Sequence, residues 1–398
     1  MDFKESQGAS GGSSGSLALQ TVVFALVCAA FTTIYITQPV LPVIREEFGV
    51  DATTASYTIA AVVLGIALSN LPFGLLSDRY PVRPIILTGG LVVGFCSLLC
   101  AMSQSLTLLI AARFVQGLFI PALTTCLAAF LARTLPVASL NTVMGSYVSA
   151  TVAGGLGGRL LGGWIHPPLH WRYAFVSSAV LVLGAAWAAF RMLPHEADRL
   201  SVDGEALSFG QLLTKGGFLR IYGVAFGSFF VFSSIFNYLP FYLAGPPFDA
   251  RTEVITLMYL AYVIGILVGP LAGKISNRIG NGPTMASGAV VFALSIALTL
   301  VPSMPVIMLS LAGICAGFFT IHASASGSLN RKIVSSRGRA NSLYVLFYYL
   351  GGAVGIWLSG QAYVRAGWLG VAGLVTAMLV VPFIAGILET VHDRTSGG

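Results

Sequence analysis

The chain has 398 residues, of which 56 % are hydrophobic and 9 % are charged, and its mean hydropathy is +0.86. Soluble domains carry about 25 % charged residues, so this composition excludes a protein whose main solvent is water. The net charge of +7 does not indicate nucleic-acid binding, because the basic residues lie in short segments between apolar runs and form no cluster on one soluble face.

Apolar runs recur along the chain at the length of about 20 residues that crosses the hydrocarbon core as an α-helix. Only helices or closed barrels satisfy the backbone in lipid. The sequence therefore predicts an all-α integral membrane protein with twelve transmembrane helices in two pseudo-symmetric six-helix halves. The predicted spans are 17–43, 53–77, 84–103, 106–131, 139–165, 173–190, 218–245, 253–273, 283–302, 304–327, 340–363 and 367–390.

The segments between and around the spans define the domain organisation. Residues 1–16 are rich in glycine and serine and lack the basic region and cleavage site of a signal peptide, which predicts a disordered cytoplasmic tail. An N-terminal half at 17–190 and a C-terminal half at 218–390 are joined by a charged cytoplasmic linker at 191–217. Residues 391–398 form a second cytoplasmic tail.

The distribution of lysine and arginine predicts the orientation. With both termini inside, fifteen of these residues lie on the cytoplasmic side and two lie within spans. The positive-inside rule therefore places both termini in the cytoplasm. Only four lie on the outer side: Arg45, Arg172, Arg251 and Arg365.

A short charged stretch, Gly74 to Pro84, joins spans 2 and 3, and a weaker copy begins 199 residues downstream at Gly273. A repeat of half the chain length in an apolar protein indicates two similar membrane halves, an arrangement typical of secondary transporters. The matching positions are Gly74 and Gly273, Asp78 and Asn277, and Arg79 and Arg278.

The chemistry of this loop suggests a gate. Asp78 can accept a charge-assisted hydrogen bond from a neighbouring arginine. A pairing that forms in one conformation and breaks in another would act as a latch on the cytoplasmic surface. Arg79 and Arg83 are further candidate residues of this gate. Plain anchoring of positive charge at the membrane surface is the alternative interpretation.

Span 5 carries a glycine ridge and an arginine. Gly154, Gly158 and Gly162 recur every four residues, a spacing that lets a second helix approach closely. Arg159 follows the second of them. An arginine at mid-helix costs about 2.5–3.5 kcal/mol on insertion scales, so it faces a cavity or a partner. Snorkelling to the outer surface is the alternative.

A second arginine, Arg113 in span 4, shares a helix face with Gln116. With a rise of 1.5 Å per residue, Arg113 and Arg159 both lie about 9–10 Å from the outer ends of their spans. This matched depth suggests a cationic floor to a central cavity.

Further polar and aromatic side chains are candidates for the substrate and proton cavity. Gln38 and Asn237 occupy matching places in spans 1 and 7, again 199 residues apart. His322, in span 10, is a candidate proton carrier because histidine titrates near neutral pH; a neutral hydrogen-bonded histidine is the alternative. Tyr348 belongs to an aromatic-rich span 11, and some of these rings are expected to line a cavity.

The sequence gives no sign of an enzyme. It contains no nucleophile–base pair, phosphate loop or metal-ligand spacing, so we expect no catalytic residue, metal or cofactor. The cysteines all lie inside apolar runs without a metal or redox motif: Cys28, Cys96, Cys100, Cys126 and Cys315.

These motifs resemble those of the major facilitator superfamily over the whole chain. The stretch Gly74-x-x-x-Asp78-Arg79-x-x-x-Arg83 is similar to the span 2–3 signature of that family, and Arg113-x-x-Gln116-Gly117 to its span 4 signature. The span 5 pattern follows the twelve-helix antiporter branch: Gly145-x8-Gly154-x3-Gly158-Arg159-x2-Gly162-Gly163.

Arg159 stands where the antiporter pattern has proline. Together with Tyr35-x-x-Gln38-Pro39 and the stretch from Ser342 to Gly351, this arginine resembles the YnfM-type (acriflavine-sensitivity) branch. The resemblance implies an inner-membrane exporter driven by the proton gradient through alternating access. It also implies that Asp78 helps hold one gate and that Arg113 contributes to proton coupling.

The expected function is proton-coupled export of a small amphipathic compound or drug by a monomer whose partners are substrate, protons and lipid. Many drug exporters of the superfamily keep a membrane-embedded carboxylate, and none is apparent here. An organic-anion or metabolite carrier that uses Arg113 and Arg159 is therefore the first alternative. A membrane receptor that binds without transport is the alternative from another class.

Overall fold

The computed structural model describes residues 9–135, 137–194, 208–333 and 337–396. Within these ranges every regular element is helical and no strand occurs. The α-helices are α1 Ala9–Tyr35, α2 Leu41–Phe48, α3 Ala52–Arg79, α4 Val82–Met102, α5 Leu106–Leu123, α6 Thr125–Thr134, α7 Val137–Ile165, α8 Arg172–Met192, α9 Phe209–Thr214, α10 Gly216–Ala244, α11 Thr252–Met258, α12 Tyr262–Ile279, α13 Asn281–Leu298, α14 Met304–Lys332, α15 Arg337–Met378 and α16 Val380–Ser396.

Each of the twelve predicted spans lies on a helix or on two helices in series. Ten stretches of the described chain are long and apolar enough to cross a membrane. The last of them, Gly338–Val391, turns at Ala366 and Gly367, where the backbone is not helical, and so contains two spans. The remaining span is α7, which has 29 residues and a glycine-rich sequence.

Four spans are interrupted, and one of them is span 12, where α15 ends at Met378 and α16 begins at Val380. In span 1, α1 ends at Tyr35 and a 3-10 turn at Gln38–Val40 leads into α2; proline at 39 and at 42 cannot donate the backbone hydrogen bond that a continuous helix needs. Span 4 breaks at Thr124 between α5 and α6. In span 8, a 3-10 turn at Tyr259–Ala261 separates α11 from α12.

The helices extend beyond the predicted spans at both ends of the chain. Helix α1 begins at Ala9, inside the predicted tail, and α16 continues to Ser396. Residues 195–207 of the predicted linker lie outside the described residues. Its final part contains α9, which begins with a capping box between Ser208 and Gln211.

The glycine ridge of α7 packs against α1. A Cβ atom at Gly154 or Gly158 would overlap the α1 backbone at Cys28 or Thr32, and one at Gly162 would overlap the backbone of Ile36, directly after α1. This is the close approach that small residues permit between membrane helices. The C-terminal half repeats the device, because Gly351 and Gly355 of α15 lie against the backbone of Phe226 and Phe230 in α10.

The helix bundle has two faces at which the helices are connected. We call the face with the α3–α4 connection, which follows Asp78, the loop side. The opposite side is the face with the α2–α3 connection, which ends at Asp51. The N-terminal half contains α1 to α8, and the C-terminal half contains α10 to α16. The halves meet through α3 with α15 and α7 with α11.

Candidate functional site

Arg159 lies at the interface between the halves and is 1 % exposed. Its Nε donates to Oε1 of Gln38 at 2.7 Å, and its Nη2 donates to the hydroxyl of Tyr262 at 2.8 Å. Its Nη1 donates to the carbonyl of Gly155, one turn earlier on α7. The guanidinium therefore has an acceptor on each of its three nitrogens, and all three acceptors are neutral.

Aromatic rings surround the same guanidinium. Its central carbon lies 3.9 Å from the ring centroid of Tyr35, 4.3 Å from that of Tyr262 and 5.4 Å from that of Tyr259. We call Tyr35, Gln38, Tyr259 and Tyr262 the arginine cage. The π faces and the hydrogen-bond acceptors together stabilise a buried positive charge.

No carboxylate in the described part of the chain forms an ion pair with Arg159. A buried charge that is not matched by an opposite charge is costly, and such groups mark functional sites in membrane proteins. Six of the described carboxylates lie at or near helix ends: Glu46, Glu47, Asp51, Asp78, Asp249 and Glu253. Glu389 lies inside α16, where it pairs with Lys332.

The cage bridges the two halves. Tyr35 and Gln38 belong to the N-terminal half, whereas Tyr259 and Tyr262 belong to the C-terminal half. The hydrogen bond from Arg159 to Tyr262 therefore holds the halves together, and it must break if they separate at this level.

Further contacts join the two halves on the opposite side. Nδ2 of Asn237 donates to Oγ of Ser56 at 2.7 Å, which joins α10 to α3. Gly163 of α7 lies so close to Thr256 of α11 that an added Cβ would overlap the threonine side chain. The guanidinium of Arg45 lies 5.7 Å from the ring centroid of Phe241.

An aromatic cluster extends from the cage within the C-terminal half. Phe232 stacks on Phe318 at 3.9 Å between ring centroids, and its ring lies 5.2 Å from that of Tyr262 in the cage. The second stacked pair is Phe229 with Tyr348, at 3.7 Å. We define the aromatic cluster as these rings together with one histidine: Phe229, Phe232, Phe318, His322 and Tyr348.

His322 provides the cluster with a titratable group. Its ring lies 5.4 Å from Tyr348, and its Nδ1 is 3.0 Å from the hydroxyl of Tyr344, so the two side chains share one hydrogen bond. His322 and Tyr348 are only partly buried. The structure thus brings His322, Tyr348, Gln38 and Arg159 into one connected region.

Arg113 lies in a different environment. It is completely buried and donates to the backbone carbonyls of Thr33 at 2.7 Å and Thr58 at 3.0 Å, and also to that of Ile34. It also donates to Oε1 of Gln116 at 2.9 Å. The carbonyls at 33 and 34 belong to the last turn of α1, where intrahelical donors are missing. Arg113 therefore ties α1, α3 and α5 together inside the N-terminal half and shares no hydrogen-bond partner with Arg159.

The charged loop after α3 also lies apart from the cage. Nη1 of Arg133 is 2.9 Å from Oδ1 of Asp78, and Nη2 of the same arginine donates to the carbonyl of Ser77 at 2.8 Å. Arg83 donates through Nε to the carbonyl of Phe190 at 2.8 Å. Every one of these contacts is internal to the N-terminal half. The remaining charged or polar loop residues are exposed: Arg79, Asn277 and Arg278.

One buried carboxylate escaped the sequence analysis. Glu389 on α16 is 3 % exposed and accepts hydrogen bonds from Nζ of Lys332, at 2.7 Å, and from the hydroxyl of Ser328. Lys332 lies 199 residues after Arg133, the partner of Asp78. The 199-residue offset of the repeat therefore matches Arg133 with Lys332, and it would have predicted that Lys332, like Arg133, has a carboxylate partner.

Most of the chain matches transporter sequences. The family model described as Major Facilitator Superfamily matches residues 23–281 and 246–396. The chain is 28 % identical to the MFS-type transporter YybF of Bacillus subtilis, over 92 % of this chain and 93 % of the relative. It is 27 % identical to the inner membrane transport protein YnfM of Escherichia coli, over 92 % of this chain and 88 % of the relative.

Solved structures share the same helical arrangement. A bacterial homologue of the human lysosomal transporter Spinster, crystallised in an inward-facing and unoccupied conformation, superposes with a TM-score of 0.72 at 16 % identity and covers 98 % of both chains. The nucleoside transporter NupG superposes with a TM-score of 0.77 at 12 % identity, over 94 % of this chain and 99 % of the other. These likenesses confirm the predicted all-α membrane fold.

Proposed function

The chain belongs to the Major Facilitator Superfamily of transporters, and we propose that it is a secondary transporter that exports a small amphipathic compound in exchange for protons. It is a transporter and not an enzyme. We place it in the inner membrane as a monomer with both termini in the cytoplasm, so that the loop side faces the cytoplasm.

The observation that carries this proposal is the continuity between the aromatic cluster and the interface of the halves. A partly buried aromatic surface next to a contact that must break during alternating access suits a substrate with a flat apolar portion. Tyr348 and His322 offer that surface, and Phe232 connects it to the cage. Pairing of substrate binding with opening of the interface is what a transporter requires.

Proton coupling is assigned to His322. Histidine is the side chain whose charge changes near neutral pH, and it lies in the cluster where a substrate would contact it. Of the residues that make up the aromatic cluster, His322 alone has a side chain that titrates near neutral pH. Asp78, paired with Arg133, retains the role of a latch on the cytoplasmic surface.

The test uses purified protein in liposomes that contain a pH-sensitive dye, under an imposed proton gradient. Three probes share one ring system: 2-naphthoate, 2-naphthamide and 2-naphthylmethylammonium. Proton movement on addition of any probe, at several times the rate of protein-free liposomes, is the expected result. The His322→Gln variant should bind the same probe without proton movement. Binding without flux in the parent protein would instead indicate a receptor.

A second candidate function, transport of organic anions, is favoured by one specific observation. Arg159 has three neutral acceptors and no carboxylate partner among the described residues. A guanidinium in this state binds a carboxylate or phosphate more strongly than a neutral group. In the same liposomes this candidate gives flux with 2-naphthoate alone.

A further inference from the structure

We propose that the anionic group of the substrate displaces Tyr262 from Arg159 and thereby releases the closure of the opposite side. The inference rests on the proposed function and deepens it, because it restricts the substrate to aromatic or lipophilic compounds that carry one negative charge. The site consists of Arg159 with Gln38, Tyr35 and Tyr262, at the end of the aromatic cluster.

The first step concerns the hydrogen bonds of the guanidinium. An arginine side chain has five N–H donors, and the described acceptors of Arg159 are the side-chain oxygens of Gln38 and Tyr262 and the carbonyl of Gly155. Hydrogen bonds from guanidinium to carboxylate are roughly twice as strong as those between neutral groups and are often bidentate. A carboxylate that reaches the cage therefore competes successfully with a phenol hydroxyl for Nη2.

The second step concerns which bond is exchanged. Gln38 and Gly155 lie in the same half as Arg159, so their bonds are kept when the halves move apart. Tyr262 is the acceptor from the other half. Replacement of this acceptor by a ligand removes a contact between the halves without leaving the buried charge unpaired.

The third step concerns access. The ring of Tyr262 lies 5.2 Å from Phe232, and Phe232 is stacked on Phe318, whose ring lies 5.9 Å from the partly buried His322. A ligand ring that replaces one of these stacking contacts places its charged group toward the cage. A neutral ligand of the same shape gains the stacking but has no group that displaces the Tyr262 hydroxyl.

The experiment measures opening of the opposite side with a buried reporter. Thr37 is 1 % exposed and its hydroxyl has no hydrogen-bond partner in the structure, so Thr37→Cys breaks no hydrogen bond there. It adjoins the 3-10 turn that contacts α10 and α11 of the other half. The reporter is introduced into a chain without its natural cysteines, and a membrane-impermeant maleimide is added from the opposite side.

With Tyr262 intact, 2-naphthoate should increase the labelling rate about fivefold or more, the lower end of ordinary allosteric coupling, and 2-naphthamide should not change it. Tyr262→Phe keeps the ring and removes the hydroxyl, so its labelling should be fast without ligand and insensitive to 2-naphthoate. The matched control is Tyr242→Phe, which lies outside the cage and whose lost hydroxyl donates to the carbonyl of Thr299 within the C-terminal half at 3.3 Å. This control should respond like the parent.

Equal responses to 2-naphthoate and 2-naphthamide would overturn the inference, as would a Tyr262→Phe protein that still responds fivefold. If Tyr262→Phe is not recovered in folded form, the comparison of the two probes on the parent protein decides alone. Flux of the ring compounds without any change in labelling refutes only this inference. Absence of flux with every probe refutes the proposed function itself.

Discussion

Gly163 offers a direct way to perturb the interface between the halves. A Cβ atom at this position would overlap the side chain of Thr256 on α11, and both the Cβ and the Cγ2 of the threonine lie within 2.8 Å of it. Rotation of Thr256 does not move its own Cβ, and it would also break the hydrogen bond from its hydroxyl to the carbonyl of Thr252. In Gly163→Val the two helices must therefore separate.

The size of the effect follows from the packing. Forcing extra carbon atoms into a packed contact costs about 1–3 kcal/mol, and here the strain exists only while the opposite side is closed. The ratio of closed to open molecules should therefore fall by roughly 5–150-fold, the factor that corresponds to this free energy.

The assay is labelling of the Thr37→Cys reporter from the opposite side. Gly163→Val should raise the labelling rate in proportion to the open population, and Gly154→Val is the matched control. Its Cβ would overlap the backbone of Cys28 within the N-terminal half, so the control should lose stability while its opening equilibrium stays unchanged. Equal labelling of both variants, or no increase in Gly163→Val, would refute the assignment of this contact to a gate.

Three further substitutions test individual interactions. Glu389→Gln removes the charge that faces Lys332 and should lower the free energy of unfolding in detergent by about 1.5–3 kcal/mol, as for a hydrogen bond to a charged group; an unchanged denaturation curve would show that the pair contributes nothing. Arg113→Lys offers three donors in place of a planar fork and should reduce the yield of folded protein; wild-type thermal stability would contradict its structural role. Asp78→Asn breaks a largely exposed pair with Arg133, so it should change the free energy of unfolding by less than about 1 kcal/mol. It should nevertheless reduce transport in liposomes, and unchanged transport would contradict the role of Asp78 as a latch.

The fold was accessible from the sequence because lipid imposes a simple rule. The spans are determined by the length of each apolar run and by the need to satisfy every backbone hydrogen bond within a helix. The structure has a helix at each predicted span. The breaks in spans 4, 8 and 12 were not anticipated. They lie at Thr124, at the turn Tyr259–Ala261 and at Leu379, and the length of an apolar run, which defines a span, carries no information about such interruptions.

The candidate site was predictable only in part. The chain itself shows that no carboxylate lies deep in the span of Arg159. It also identifies Gln38 as a candidate cavity residue, because Gln38 matches Asn237 in the repeat. The tyrosines of the cage come from spans 1 and 8, so their convergence on span 5 depends on tertiary structure. Arg113 and Arg159 have similar depths, but depth alone does not distinguish an arginine that caps α1 from one that bridges the halves.

Alternating access itself can be measured with two pairs of spin labels, one pair on each face, by recording the distance within each pair. Tyr80 and Ile279 are exposed positions 199 residues apart on the loop side, and Leu169 and Leu369 are exposed on the opposite side. Cysteine pairs at these positions carry nitroxides in reconstituted protein, and the distances are recorded with and without 2-naphthoate under a proton gradient. The transporter proposed here should show the two distances changing in opposite directions. Two distances that stay constant, or that change in the same direction, would contradict it.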